Sequence, residues 1–170
     1  MRSLRELVSG GTYHVTVRIN NREQHLKRNQ CKEMLLKILA KLQTEMGFKI
    51  EHFSLMNNHL HLIITTIDLE LPRIMQRLLM TYAIRYNKRY NRTGHVWGDR
   101  YHSRILWTRE AVKQCFEYLN ENPVKAKIVK SALDWTWNGL TYYIVHFKTM
   151  NEWISAWAHE LYMEFHENPY

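Results

Sequence analysis

The sequence predicts an α+β sandwich with an antiparallel sheet. Three observations predict it: short β-branched or aromatic runs that alternate with polar residues, longer runs with apolar residues three and four apart, and the order in which the two kinds follow one another. Thr12-Tyr13-His14-Val15-Thr16-Val17-Arg18-Ile19 alternates in this way and ends in Asn20-Asn21, which predicts a strand and then a turn. From Asn29 to Met46, residues Met34, Leu35, Ile38, Leu39 and Leu42 fall at helical spacing, with Gly47 placed to stop the helix. Phe48 to Leu55 and His59 to Thr66 read as two strands joined across Asn57-Asn58.

A second helix is predicted from about Glu70 to Asn91. Pro72 lies near its start, where a missing N–H matters little, and Gly94 closes it. Ser103 to Thr108 reads as a strand, and Arg109 to Asn122 as a helix that Pro123 ends. Strand, helix, strand, strand, helix, strand, helix is the order of a ferredoxin-like (split βαβ) sandwich. The tail carrying Trp135, Trp137, Trp153 and Trp157 is predicted to be helical and to pack on or beside this core. Residues 1–133 are thus expected to form the main unit, and residues 134–170 a helical C-terminal extension of it.

With 170 residues, 45% hydrophobic and 24% charged, the chain is long enough for one domain with a real core. Six Gly and three Pro, without a low-complexity tract or a repeat, leave no obvious linker. No apolar leader follows Met1-Arg2-Ser3-Leu4-Arg5-Glu6 and no stretch approaches a membrane span, so a soluble, cytoplasmic protein is expected. Cys31 and Cys115 are isolated, which argues against a zinc knuckle or a disulfide framework and for buried thiols. A net charge of +8 and a pI near 9.5 favour a polyanionic partner. Nucleic acid fits better than a membrane surface, since no basic stretch is paired with an insertable apolar face.

The positive charge is concentrated. From Leu71 to Arg109 there are nine Lys or Arg and one acid, Asp99. At 100° per residue, Arg73, Arg77, Arg85, Lys88 and Arg92 fall within an arc of about 120°, roughly opposite Leu79, Ala83, Tyr86 and Tyr90. A stripe of one sign repels itself and favours a phosphate backbone over bare solvent. The segment that follows, Arg89 to Arg104, interleaves bases, rings and amides. Arg100, Arg104 and Trp97 suit contacts to a single strand, although Trp97 and Tyr101 equally suit core anchors.

His59-Leu60-His61 places two imidazoles on one face of a strand while Leu60, Leu62 and Ile64 face the core, a spacing that lets both rings share one metal ion. With ten His in the chain such a spacing also arises by chance, and a hydrogen-bonded surface pair fits it too. Tyr118 and Asn122, four apart, share a helical face. If that face meets His59 and His61, Asn122 Oδ1 can complete a metal's protein ligands and Tyr118 can point at a phosphate. A phenol is a poor nucleophile at neutral pH unless a cation favours its ionisation. The competing reading makes Tyr118 a half-buried residue of an amphipathic helix.

Three blocks occur in fixed order: Asn58-His59-Leu60-His61-Leu62, Arg92-Thr93-Gly94-His95-Val96-Trp97-Gly98-Asp99-Arg100, and Tyr118-Leu119-Asn120-Glu121-Asn122-Pro123-Val124-Lys125-Ala126. In this the chain resembles the single-tyrosine HUH transposases, in particular the REP-associated branch, over roughly Tyr13 to Val129. The resemblance implies a ferredoxin-like domain that nicks and rejoins single-stranded, hairpin-flanked DNA through a tyrosine and a divalent metal. His59 and His61 resemble the metal ligands and Tyr118 the nucleophile. Asn122 stands where related insertion-sequence transposases carry Gln. Two places depart from the family pattern: Asn57 where Pro is frequent, and Lys127 where Gly is frequent. Two imidazoles and an amide suit Mn²⁺, Co²⁺, Ni²⁺ or Zn²⁺ by intrinsic preference, whereas cellular abundance favours Mg²⁺ or Mn²⁺, the expected ions. Members of the family act alone or share sites between two chains, so a homodimer and a monomer both stay open. The alternatives are a non-catalytic single-stranded nucleic-acid-binding module and a nuclease in which a metal-activated water attacks.

Overall fold

The structure is a computed structural model that describes residues 7–145 and 154–167. Strand β1 is Thr12–Arg18, helix α1 Asn29–Met46, β2 Lys49–Leu55, β3 His59–Thr65, α2 Leu71–Tyr90, β4 His102–Ile105, α3 Arg109–Lys125, α4 Gly139–Val145 and α5 Ala156–Glu167. All four strands join one sheet in the order β2-β3-β1-β4, every pairing antiparallel. This is the ferredoxin-like arrangement that the element order predicts.

Period-two alternation gives the sheet two different faces. Val15, Val17, Leu60, Leu62 and Ile64 are buried under α1 and α2, which pack side by side. His14, Thr16, His59 and His61 alternate with them and lie on the other face, where the register sets Thr16 opposite His61 and Arg18 opposite His59. Gly47 ends α1 at φ 65° with its N–H on the Gln43 carbonyl, as its position predicts. The buried side of α2 centres on Ile74, Leu78, Tyr82 and Tyr86, about a quarter-turn round the helix from the expected face, of which only Tyr86 is buried while Leu79, Ala83 and Tyr90 are half-buried.

Two expected stops move. Asn91, left-handed at φ 47°, caps α2, while Gly94 (φ 87°) turns the following loop. A short polar side chain makes this conformation accessible to Asn, so glycine is not required there. Pro123 does not end α3 but lies inside it. Proline cannot donate to the Leu119 carbonyl, and that carbonyl instead accepts from Asn138 Nδ2 at 3.2 Å, so the helix continues with its polar groups satisfied. It ends at Lys125 with Ala126 as its cap, and beyond it Lys127 (φ 55°) donates to the Val124 carbonyl (2.8 Å) and Ile128 to the Pro123 carbonyl (2.9 Å). The last strand is also shorter than the expected Ser103 to Thr108, because Thr108 leaves the sheet to cap α3 through Ala111 N–H (3.1 Å).

The C-terminal elements are tied to β2. An irregularity in register between Ile50 and His52 lets two consecutive residues of β2, Glu51 and His52, both reach α5 and the residue before it. Glu51 Oε2 accepts from Ser155 N–H (2.8 Å) and Oγ (2.9 Å) at the start of α5, while Tyr162 Oη lies 2.9 Å from the Glu51 carbonyl and 2.6 Å from His52 Nδ1. His52 Nε2 donates to Asn120 Oδ1 at 2.9 Å, which links α3 to the same cluster. Ahead of α4, residues 135–138 run along the outer edge of β2, where Leu55 N–H bonds the Trp137 carbonyl and Ser54 bridges Asn138. An otherwise open strand edge is thereby covered. Lys32 of α1 lies under this segment, its ammonium 5.0 Å from the Trp135 ring and 5.5 Å from Trp137, and burial pushes it down to about 8. Trp153 and the side chain of Trp157 lie outside the described residues.

Candidate active site

The site is built where α3 crosses the histidine face of the sheet. Antiparallel pairing of β1 with β3 brings His14 beside His61, and pairing of β1 with β4 sets Arg104 opposite His14. From above, α3 lowers Tyr118 onto this cluster. The phenol ring meets His61 edge-on at 5.7 Å between centroids and His14 at 6.0 Å, and His59 and His61 are 5.0 Å apart. Tyr118 is 43% exposed, so an incoming strand can reach its hydroxyl. His14, Arg104, Gln114, Cys115 and Tyr118 line an open pocket of about 330 Å³.

Each imidazole of the His59-Leu60-His61 pair is held by its inner nitrogen. His59 Nδ1 donates to Asn58 Oδ1 at 2.7 Å. His61 Nδ1 lies 3.0 Å from His14 Nε2 and 3.1 Å from Thr16 Oγ1. Neither Nε2 has a hydrogen-bond partner among the described residues. Engaged Nδ1 atoms with free Nε2 atoms form the pattern of metal-ligating histidines whose tautomer is fixed from behind. Burial, helped by Arg18, holds His59 down at about 4; burial and the neighbouring His59, His14 and Arg18 hold His61 at about 3; burial and Arg104 hold His14 at about 4. All three rings are therefore neutral, as a ligand must be, throughout the physiological range.

Among the described residues, no three His, Cys, Asp or Glu side chains are grouped to share a metal. A cation at His59 and His61 would take its other ligands from an amide, water or substrate oxygens, a donor set that fits Mn²⁺ and tolerates Mg²⁺. Asn122 lies one helical turn beyond Tyr118, half-buried, and its Nδ2 has no partner among the described residues. Among the described residues no hydrogen bond joins it to either imidazole. Cys115 offers no competing nucleophile at neutral pH, because burial pushes its thiol up to about 12.

The predicted basic residues separate into groups. Arg104 lies in the tyrosine pocket. Arg73, Arg77, Arg85 and Lys88 are exposed along α2, which packs on the face of the sheet opposite Tyr118. Arg92 and Arg100 are exposed in the loop between α2 and β4, where Arg92 pairs with Glu23 at 3.2 Å. Trp97 is half-buried. Its indole N–H donates to the Leu79 carbonyl (2.9 Å) and its ring leans on Tyr82, so packing engages much of it. Sequence reasoning missed His14, Thr16 and Arg18. The polar alternation of β1 hinted at them, but only the strand register brings them to the site.

Among the described residues no helix is long and apolar enough to cross a membrane. A solved structure of a REP-associated tyrosine transposase bound to a REP hairpin superposes with a TM-score of 0.74 at 21% identity, covering 86% of each chain. A candidate transposase from Deinococcus radiodurans R1 superposes with a TM-score of 0.50 at 20% identity, over 71% of this chain and 97% of its own. No curated protein matches the sequence. A family model described as transposase, IS200-like, matches residues 7–122, more than half of the chain, and the chain belongs to that family.

Proposed function

We propose that this transposase cuts and rejoins single-stranded, hairpin-bearing DNA through a covalent bond to Tyr118. The observation that carries the reading is the exposed phenol of Tyr118 edge-on to His61, within a pocket that also holds Arg104. The hairpin held by the REP-associated relative supports the same class of substrate.

In the proposed step, Tyr118 Oη attacks the phosphorus of a phosphodiester. One strand P–O bond breaks as the O–P bond to tyrosine forms, the phenolic proton leaves to solvent, and the departing sugar oxygen takes a proton up. The number of phosphodiester bonds is unchanged, so attack by a sugar hydroxyl on the phosphotyrosine reverses the step and rejoins a strand. Arg104 faces the pocket with a guanidinium suited to the non-bridging oxygens, where charge develops. His59 and His61, with Asn122 as a third ligand, would hold Mg²⁺ or Mn²⁺, which would polarise the scissile phosphate and favour the ionised phenol. His14, Thr16 and Asn58 fix the two imidazoles. Arg73, Arg77, Arg85, Lys88, Arg92, Trp97 and Arg100 serve the strand and stem away from the reacting phosphate.

The test is incubation with end-labelled hairpin oligonucleotides from the gene's own flanks, with Mn²⁺ or Mg²⁺, resolved on a denaturing protein gel. A labelled protein band that chelator suppresses and Tyr118→Phe abolishes is expected. Cleavage without that band would mean attack by water, and binding without cleavage would mean a non-catalytic module.

A further inference from the structure

A second cavity lies outside the tyrosine pocket. It measures about 610 Å³ and is lined by Glu23, Gln24, His25, Lys27, Arg28, Tyr86, Tyr90 and Arg92, a size at which small-molecule sites occur. Its walls combine rings with cations. His25 stacks on Tyr86 (4.5 Å between centroids, 16° between planes), Tyr86 meets Tyr90 at 4.7 Å, and the Arg28 guanidinium covers the Tyr90 ring at 4.8 Å. Lys27, Arg28 and Arg92 are exposed at its rim.

One acceptor in this cavity is spare. Both His25 Nε2 (2.5 Å) and Arg92 (3.2 Å) contact Oε2 of Glu23, which leaves Glu23 Oε1 without a partner among the described residues. His25, 7% exposed, has a buried Nδ1 that is also unpartnered. Cations for phosphate, rings for stacking and a carboxylate oxygen for an amino group are together the complement of a nucleotide.

The cavity is also joined to the catalytic end of the sheet. The segment that forms its floor bonds the turn ahead of His59: Leu26 N–H to the Asn57 carbonyl (3.0 Å), Ile19 N–H to the Asn58 carbonyl (2.8 Å), and Asn58 Nδ2 to the Arg22 carbonyl (3.4 Å). Asn58 is the residue that fixes His59. Two consecutive left-handed residues, Asn21 (φ 52°) and Arg22 (φ 56°), bend the chain into this shape.

We propose that this cavity seats one unpaired nucleotide of the DNA strand, its base against Tyr90, its phosphate among Lys27, Arg28 and Arg92, and an exocyclic amino group on Glu23 Oε1. The proposal rests on single-stranded DNA being the substrate. It assigns the cavity a base with an amino edge, adenine, cytosine or guanine, in preference to thymine.

The test compares two probes by fluorescence anisotropy: a hairpin oligonucleotide from the gene's flanks with unpaired nucleotides on both sides, and the same hairpin trimmed to its stem. Arg28→Ala, an exposed position, and Tyr90→Leu are each expected to weaken binding of the flanked hairpin roughly tenfold. Binding of the trimmed stem should be unchanged, and Tyr90→Phe should restore the flanked probe. In the flanked probe, one abasic substitution should reproduce the loss in wild type and add nothing in Tyr90→Leu. Equal weakening of both probes, or no weakening of either, overturns the proposal. The Tyr118 adduct is measured on the same flanked probe. An adduct with unaltered Arg28→Ala binding removes the nucleotide pocket alone, whereas wild type that neither binds nor reacts with single-stranded flanks removes the proposed function and the pocket together.

Discussion

His14 Nε2 lies 3.0 Å from His61 Nδ1, and this contact decides which nitrogen of His61 is free to face the phenol of Tyr118. If His61 donates from Nδ1, its Nε2 carries a lone pair for a cation; the reverse tautomer would present an N–H there. His14 is thus a positioning residue, set behind His61 by the pairing of two strands distant in sequence.

His14→Ala should weaken divalent metal binding about 10- to 100-fold, as loss of a supporting partner behind a ligating histidine does. Titration with Co²⁺, followed by its visible absorption, reads affinity without requiring activity. Identical affinity in His14→Ala and wild type would remove His14 from this role.

Burial holds His52 down to about 3 in the fold, against an ordinary value near 6.5. Its contribution to stability is fully present above pH 6.5 and is lost as pH falls from 6.5 toward 3, because the unfolded chain takes up a proton that the folded chain refuses. The slope is about 1.4 kcal/mol per pH unit. The neighbouring Glu51, pushed upward by burial, titrates in the opposite sense and offsets part of this loss. Urea unfolding at pH 7.5 and 5.0 should show a steeper loss for wild type than for His52→Gln; parallel losses would contradict the assignment.

Asn138 serves two elements. Oδ1 accepts from Leu140 N–H (2.9 Å) at the start of α4, and Nδ2 satisfies the Leu119 carbonyl that Pro123 leaves open. Asn138→Ala should lower unfolding stability by about 2–3 kcal/mol, the sum of a lost cap and a buried orphan carbonyl. In Asn138→Ala combined with Pro123→Ala, part of that loss should be recovered, since alanine can donate to Leu119. Strict additivity of the two substitutions would contradict the coupling.

Lys127 adopts φ 55° at the end of α3, where a side chain is strained. Lys127→Gly should therefore raise stability by about 1 kcal/mol and Tm by roughly 2–4 °C. Differential scanning calorimetry checks it, and an unchanged or lower Tm would contradict the strain.

Local patterns carried much of this fold. The spacing of Leu35, Ile38, Leu39 and Leu42 marked α1 with its Gly47 stop, and the His59-Leu60-His61 alternation marked both a strand and the candidate ligands. What stayed hidden depends on contacts between distant residues. Nothing in the neighbourhood of His14 says that it faces His61, because only strand register decides that. Pro123 reads locally as a stop, and a carbonyl partner supplied from Asn138 cancels the signal. Glu51 and His52 look like ordinary polar strand residues until Ser155 and Tyr162 arrive from the tail. The basic stripe of α2 was visible, but its position across the sheet from Tyr118 was not.

The most direct measurement is tandem mass spectrometry of the protein after reaction with hairpin DNA and nuclease trimming, to locate the nucleotide on the chain. A residual nucleotide bonded to Tyr118 Oη, present only with divalent metal, is the predicted result. Strand cleavage with no nucleotide on the protein, or a nucleotide on any other residue, would contradict the account.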